Sequence, residues 1–468
     1  MNVMSIARPA ATALLSAIAS AAFATNYYWG SDAGDGDFED TSKWRLLKPS
    51  GSAANASPLA VTDTAIFGNG VTGTVAVGSF TAAALPNIHF LGGSDIALNL
   101  PSGVVSSPGS TYTSNIGNGI GSPWSFGSGV GRLVIAGGTL DMRCSPIIRN
   151  NAGTPQLIVR SATLRNSSWQ PAEKDTASSV VFGAESGATV ENFTLTLPNY
   201  ISSESGHALP RVWFAGEGTT VSNLSLAATG NAVISPCDVC FTNGVKVVDS
   251  ALMVNGGGTM LINGASTFVT NTTVQLKCSA ATLAVTNATM ADCTILFAGV
   301  ASNETSTNNC FSTTGSLFDG CAFELAAWTA NANMTFGQGT VMRNLSSFAL
   351  SGHECDCVIE GTGTAIDAGD IVLTPWAGHA VWKNTISTSS VFTVKGGASL
   401  ECAGFRAGSA IAGIGHFRNV VRVSGEGSTL TVRPFASGFN NGVAPVWFEQ
   451  ITGSNGSCVS NRVEISDG

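Results

Sequence analysis

The chain is short of charge. Asp, Glu, Lys and Arg make up only 11% of its 468 residues, against roughly 25% in an average globular protein. The net charge is −9 and the pI about 5.0, and no cluster of Lys or Arg occurs anywhere. A surface that neutralises phosphates needs such a cluster, so nucleic acid and anionic lipid are poor partners. Mean hydropathy is +0.25, yet no apolar run after the N-terminus is long enough to cross a bilayer. No transmembrane segment is therefore expected in the mature chain. Nor does any helix-length amphipathic segment follow the first residues, which removes most α/β folds. Histidine is scarce: His89, His207, His353, His379 and His416 are scattered near turns, where exposed positions are expected. No G-x-S-x-G, H-E-x-x-H or P-loop pattern occurs. Motifs therefore assign no catalytic residue and no cofactor.

What the chain does have is glycine, 55 residues of it, in a sequence that is 44% hydrophobic. That is too apolar for a disordered segment. Glycine among β-branched and small polar residues suits short strands joined by tight turns. The clearest unit is Arg211–Ala227, RVWFAGEGTTVSNLSLA, which returns as Asn419–Arg433, NVVRVSGEGSTLTVR. Each reads as a strand, a Gly-Glu-Gly turn, a small polar pair and a second alternating strand. Related units start at Arg132, Gln156 and Val180. Spacings of roughly 20–35 residues fit a β-solenoid, in which each rung packs on its neighbours, better than a sandwich or propeller. Asn271 and Asn287, each closing a V-T-N triplet, suit left-handed corners or side-chain ladders between rungs. The expected fold is all-β, a parallel β-helix.

Residues 1–24 read as a secretory leader. Arg8 supplies the positive region, Ala10–Ala22 the apolar stretch, and Ala22-Phe23-Ala24 an A-x-A site, so cleavage is expected after Ala24. Residues 25–75 form a distinct module. Trp29 and Trp44 bracket an acidic, Gly-rich turn with Asp32, Asp35, Asp37, Glu39 and Asp40. Oxygen ligation of Ca²⁺ is one reading of those carboxylates. A polar hairpin capping the end of the stack is the favoured one. Residues 76–468 are then solenoid repeats. The last residues, SNRVEISDG, resemble the start of a rung, so more chain is expected beyond Gly468.

The opening module carries a resemblance. Trp29, Gly30, Gly34, Asp35, Gly36, Phe38, Asp40 and Trp44, followed by Asp63, Thr64, Ala65 and Phe67, resemble the start of secreted bacterial proteins with autotransporter-type β-strand repeats. The resemblance implies a right-handed parallel β-helix and a surface or secreted, often adhesin-like role. A C-terminal membrane barrel of the autotransporter kind is not evident in the sequence.

Eleven cysteines fall between Cys144 and Cys458. In an oxidising destination Cys237–Cys240, Cys278–Cys293, Cys310–Cys321 and Cys355–Cys357 are candidate disulfides. Burial as small hydrophobes is the other reading. His353, Cys355 and Cys357 would share one face of an extended strand and form a weak candidate metal site. For a polysaccharide lyase or glycosidase, Asp356, Asp367 and Asp370 are the carboxylates to consider. Trp124, Trp169, Trp213, Trp328, Trp376, Trp382 and Trp447 offer a possible sugar-stacking face or wedges under loops. The expected function is a secreted or cell-surface structural, adhesin-like solenoid contacting glycans, cell surfaces or itself. A polysaccharide-active β-helix enzyme is the alternative.

Overall fold

The computed structural model describes residues 25–467 apart from 61–62, 69, 79–83, 108–123, 128–130, 150–154, 172–180, 198–210, 229–236, 255, 278–279, 299–305, 326–328, 351–353, 370–371, 374–386, 389, 408–415, 418–419, 434–445, 449–457 and 460–461. The leader assigned to residues 1–24 lies outside this range. Among the described residues the only helical element is a 3₁₀ turn at Thr41–Lys43.

The rest is a parallel β-helix with two long stacks, a sixteen-stranded and a twenty-four-stranded sheet. One rung shows how the sequence builds it. Arg211–Ala215 alternates outward Arg211, Trp213 and Ala215 with buried Val212 and Phe214. This is the period-two pattern of a strand with one face on a core. Gly216 (φ 96°) and Gly218 (φ 80°) then turn the chain through left-handed conformations, which cost glycine nothing. Thr220–Ala228 follows in the other sheet. It bends at Asn223 (φ 50°), so Val221 and then Leu224 and Leu226 all face inward. The chain then returns to the next strand of the sixteen-stranded sheet, Asp238–Thr242, which pairs in parallel with Arg211–Ala215.

The hydroxyl after the Gly turn clamps it. Thr219 Oγ1 donates to Ala215 O at 2.8 Å and accepts Gly187 N–H of the preceding rung at 3.2 Å. Thr267 does the same with Asn263 O and Gly244 N–H. Ser428 does so with Ser424 O and Gly397 N–H. The small polar pair after Gly-Glu-Gly is thus half turn clamp, half first strand residue.

Rung length varies. Asp238 pairs with Thr259 and Val420 with Arg462, so one circuit takes between 21 and 42 residues. The rung placed by sequence at Val180 starts its pairing one residue later, at Val181 opposite Gln156. The two sheets also begin earlier than residue 76. Thr64–Phe67 pairs with Asn87–Phe90, and Thr72–Ala76 with Asp95–Asn99.

The opening module closes the first rungs. Asn26–Trp29 pairs antiparallel with Trp44–Leu46 and parallel with Thr64–Phe67. Trp29 and Trp44 meet edge to face at 5.0 Å and pack on Phe67. Each acidic side chain of the turn given a partner either holds the hairpin or, for Asp35, ties it to strand Thr72–Ala76. Asp32 pairs with Arg45 (3.1 Å), Asp35 accepts Thr74 N–H (2.6 Å), Asp37 accepts Glu39 N–H (2.9 Å) and Asp40 caps the 3₁₀ turn through Ser42 N–H (2.9 Å). Lys43 Nζ fills the turn, donating to Ala33 O and Asp35 O at 2.6 and 2.7 Å. The ammonium supplies the positive charge that a cation reading of the turn calls for.

A corner ladder runs along the bend. Asn166, Asn192, Asn223, Asp249, Asn271, Asp292 and Asn344 all have positive φ. Asn166 Nδ2 donates to Asp141 (3.0 Å), Asn192 to Asn166 (2.9 Å), Asn223 to Asn192 (2.8 Å), Asn271 to Asp249 (2.6 Å) and Asn344 to Asp319 (2.7 Å). Asn271 and Asn287 both sit in the left-handed region, at φ 46° and 51°, as their V-T-N triplets indicate. Substituting Asn192→Ala is expected to cost about 1–2 kcal/mol, because alanine pays the left-handed penalty and two bonds are lost. Asn192→Gly restores the φ and should cost less. Urea unfolding of both variants checks this; equal losses would mean that the side-chain bonds, not the φ, hold the corner.

Candidate functional site

The interior offers little chemistry. Its inward columns are mainly Val, Ile, Leu, Phe and Met, with some Ala, Trp and Cys, and Phe rings stack from rung to rung, as for Phe214 on Phe241 at 4.9 Å. Distinctive side chains therefore lie on the outer faces, at the corners, or inside as buried thiols and indoles.

Of the carboxylates considered for sugar cleavage, Asp356 and Asp367 lie in different sheets. Asp356 begins Asp356–Glu360 in the sixteen-stranded sheet. Its carboxyl is pushed up by desolvation. Asp367 ends Ala365–Asp367 in the other sheet, beyond the Gly361–Gly363 turn. It accepts from Arg433 at 2.8 Å and from Gly369 N–H at 2.9 Å. Arg433 also contacts Glu401. Asp370 lies outside the described residues. Asp367 is thus held in an inter-rung ion network of the same kind as Arg132–Asp95 (2.7 Å), Arg160–Glu185 (2.6 Å) and Arg422–Glu464 (2.7 Å). Such exposed pairs are each worth less than about 1 kcal/mol.

The thiols are distributed by strand alternation. Cys355 and Cys357 share the inward face and are buried. Burial pushes the Cys355 thiol up to about 12 and raises Cys357 as well, which disfavours the thiolate that a metal would need. His353 lies outside the described residues, and no group of three or more His, Cys, Asp or Glu converges among those described. Cys237 points inward and Cys240 outward, because residues three apart on a strand face opposite sides. Cys310 opens a strand of the sixteen-stranded sheet, whereas Cys321 precedes one of the twenty-four-stranded sheet. Neither the Cys237–Cys240 nor the Cys310–Cys321 pairing is brought together. Cys278 lies outside the described residues. Among the described residues no disulfide links any two of Cys144, Cys237, Cys240, Cys293, Cys310, Cys321, Cys355, Cys357 and Cys402 in this structure.

Tryptophan divides likewise. Trp124 and Trp169 are fully buried inside the stack, rather than wedged under loops or displayed. Trp328, Trp376 and Trp382 lie outside the described residues, and Trp447 falls in Val446–Phe448. Trp213 is different. It stands half-buried on the outer face, above Gly183 of the preceding rung. A Cβ on Gly183 would lie 2.2 Å from the indole Cζ2, so only glycine lets the ring lie flat there. The indole N–H points at Glu185 Oε2, 3.5 Å away, and Glu185 is held by Arg160. Ile158, Cys240 and Leu261 continue the same outer column. The result is one half-buried indole in an otherwise non-aromatic column, beside the Arg160–Glu185 ion pair. A glycine two residues before a Glu, under a Trp one rung later, is the signal that would have separated Trp213 from the buried tryptophans.

His89 also departs from expectation. It is buried in mid-strand, 6% exposed, with Nδ1 on Ser125 Oγ. Burial lowers its pKa to about 4.

Comparison with protein-family models, with curated proteins and with solved structures finds no match.

Proposed function

We propose that the chain is a secreted or cell-surface structural solenoid of adhesin-like type, resembling autotransporter-type β-strand repeat proteins. One observation carries this reading: the unbroken parallel register of the sixteen-stranded sheet. At ~4.8 Å per strand it makes a rod of about 70 Å. Each rung is tied to the next by backbone bonds, corner amides and outer ion pairs, so the rod is stiff along its axis. A stiff rod with low charge density is suited to holding a surface away from its point of attachment. Trp213, beside the Arg160–Glu185 ion pair, is a place where a sugar ring can stack and bond at once. Glycans are therefore the contact partner favoured over cell surfaces of other kinds or self-association. The leader in residues 1–24 agrees with export.

The test is incubation of the chain from Thr25 with a panel of acidic and neutral polysaccharides, following both retention and bond cleavage. Retention without cleavage, weakened by Trp213→Ala, is the expected result. Cleavage would overturn the structural reading in favour of a polysaccharide-active enzyme. Cell fractionation showing the chain in the cytoplasm with residues 1–24 attached would overturn the address.

A further inference from the structure

Four successive corners of the twenty-four-stranded sheet carry the same device. Each has a residue in the left-handed region followed by a small side chain turned inward: Asp249-Ser250, Asn271-Thr272, Asp292-Cys293 and Gly320-Cys321. Each small side chain bonds back to the carbonyl two residues earlier. Ser250 donates to Val248 O (2.8 Å), Thr272 to Thr270 O (2.8 Å), Cys293 to Ala291 O (3.2 Å) and Cys321 to Asp319 O (3.6 Å). Each also accepts the backbone N–H of the residue one rung before. Leu224 N–H donates to Ser250 and Ser250 N–H to Thr272. Thr272 N–H donates to Cys293 and Cys293 N–H to Cys321.

In the last two rungs the column is therefore made of sulfur. The two cysteines are in register: Thr294 pairs with Ala322, Ala322 N–H donates to Cys293 O at 2.8 Å, and Asp292 N–H to Asp319 O at 2.8 Å. Neighbouring strands lie about 4.8 Å apart, inside the Cα separation that a disulfide spans. The two sulfurs are in contact, and both side chains are at most 1% exposed. Gly320 removes a clash: a Cβ there would lie 2.4 Å from Asp292 Oδ1. Two thiols held face to face at a bend, rather than within a straight strand, have room to close.

We propose that Cys293 and Cys321 form a disulfide that staples two successive rungs. The oxidant is a disulfide of the surroundings, a small-molecule or protein one. Cys321 attacks it as thiolate, releasing one reduced thiol and leaving a mixed disulfide. Cys293 then loses its proton and displaces the second thiol, so two cysteine S–H groups become one S–S bond while the oxidant's S–S bond becomes two S–H groups. Cys321 is the better attacking sulfur, because the bonds from Cys293 favour its thiolate. Because both are buried, the exchange takes place while the rungs are closing.

The test is refolding of the full chain with a glutathione redox couple or with reductant alone, then alkylation, non-reducing digestion and mass spectrometry. The expected product is a linked pair of peptides holding Cys293 and Cys321, about 2 Da lighter than the two free peptides, and a raised thermal midpoint that reductant reverses. Cys293→Ser with Cys321→Ser keeps the column's hydrogen bonds, as Ser250 and Thr272 show, and should fold without gaining stability from oxidant at this site. Folded wild-type chain with both cysteines alkylated after oxidative refolding, or linked instead to Cys278 or Cys310, would overturn the proposal.

Discussion

Replacing Phe214 by alanine is expected to remove about 3–5 kcal/mol of stability, the cost of emptying a fully packed aromatic site. Phe214 is wholly buried. Its ring lies 4.9 Å from Phe241 at an interplanar angle of 3° and 5.7 Å from Phe182. It therefore bridges three successive rungs, and a cavity there cannot be filled from above or below without moving a second ring. In a stack whose rungs touch only their neighbours, the loss is local in origin but not in effect. The interfaces Val181–Glu185 to Arg211–Ala215 and Arg211–Ala215 to Asp238–Thr242 weaken together, and unfolding should split into two transitions at this rung. Hydrogen exchange on these three strands, alongside denaturant unfolding, checks both parts. Phe214→Leu, which leaves a smaller void, should cost clearly less. A single cooperative transition shifted by under about 1 kcal/mol would show that the interior relaxes around the gap.

The architecture is legible in the sequence because the solenoid's rules are local. Alternation in RVWFA fixes which side chains enter the core, Gly-Glu-Gly fixes the turn, and Asn after V-T fixes the bend. What is less legible is anything that depends on stacking distant residues. The strand Asp238–Thr242 hides inside SPCDVCFT, where the C-x-x-C spacing suggests a pair although alternation sends its two thiols apart. The Cys293–Cys321 contact becomes visible only when rungs are aligned by their corners, so that D-S, N-T, D-C and G-C fall in one column. Pairing Cys310 with Cys321 by proximity along the chain matches neighbours in sequence instead of neighbours in the stack. The carboxylates Asp356 and Asp367 fail to converge for the same reason: eleven residues of solenoid carry the chain around a corner into another sheet. His89 reads in the sequence as an exposed residue near a turn, yet it is a buried strand residue, because the outer side of Asn87–Phe90 is covered while the corresponding side of most later strands is open.

That burial gives the protein an acid-sensitive end. His89 is 6% exposed and its pKa lies at about 4, below the ordinary value of about 6.5. The folded state therefore favours the neutral imidazole. Its contribution is fully present above pH ~6.5, shrinks as pH falls through the window from about 6.5 to about 4, and is lost below that. The depth is on the order of 3 kcal/mol, reduced by any relaxation that lets water reach the ring. Carboxylates held below their usual range, such as Asp141 beside Asn166 and Arg165, lose their contribution only at lower pH, so the two effects separate along the titration. Urea midpoints measured from pH 7.5 to pH 4 should fall for the wild-type chain and fall less for His89→Gln, whose amide stays neutral and can still meet Ser125. Because Ser125 and His89 lie in paired strands of the first rungs, exchange protection at Asn87–Phe90 and Trp124–Phe126 should be lost before that of the Phe214 rungs. A wild-type profile as flat as that of His89→Gln would mean that the imidazole stays hydrated in solution, and that the cover over these first rungs is looser than its packing shows.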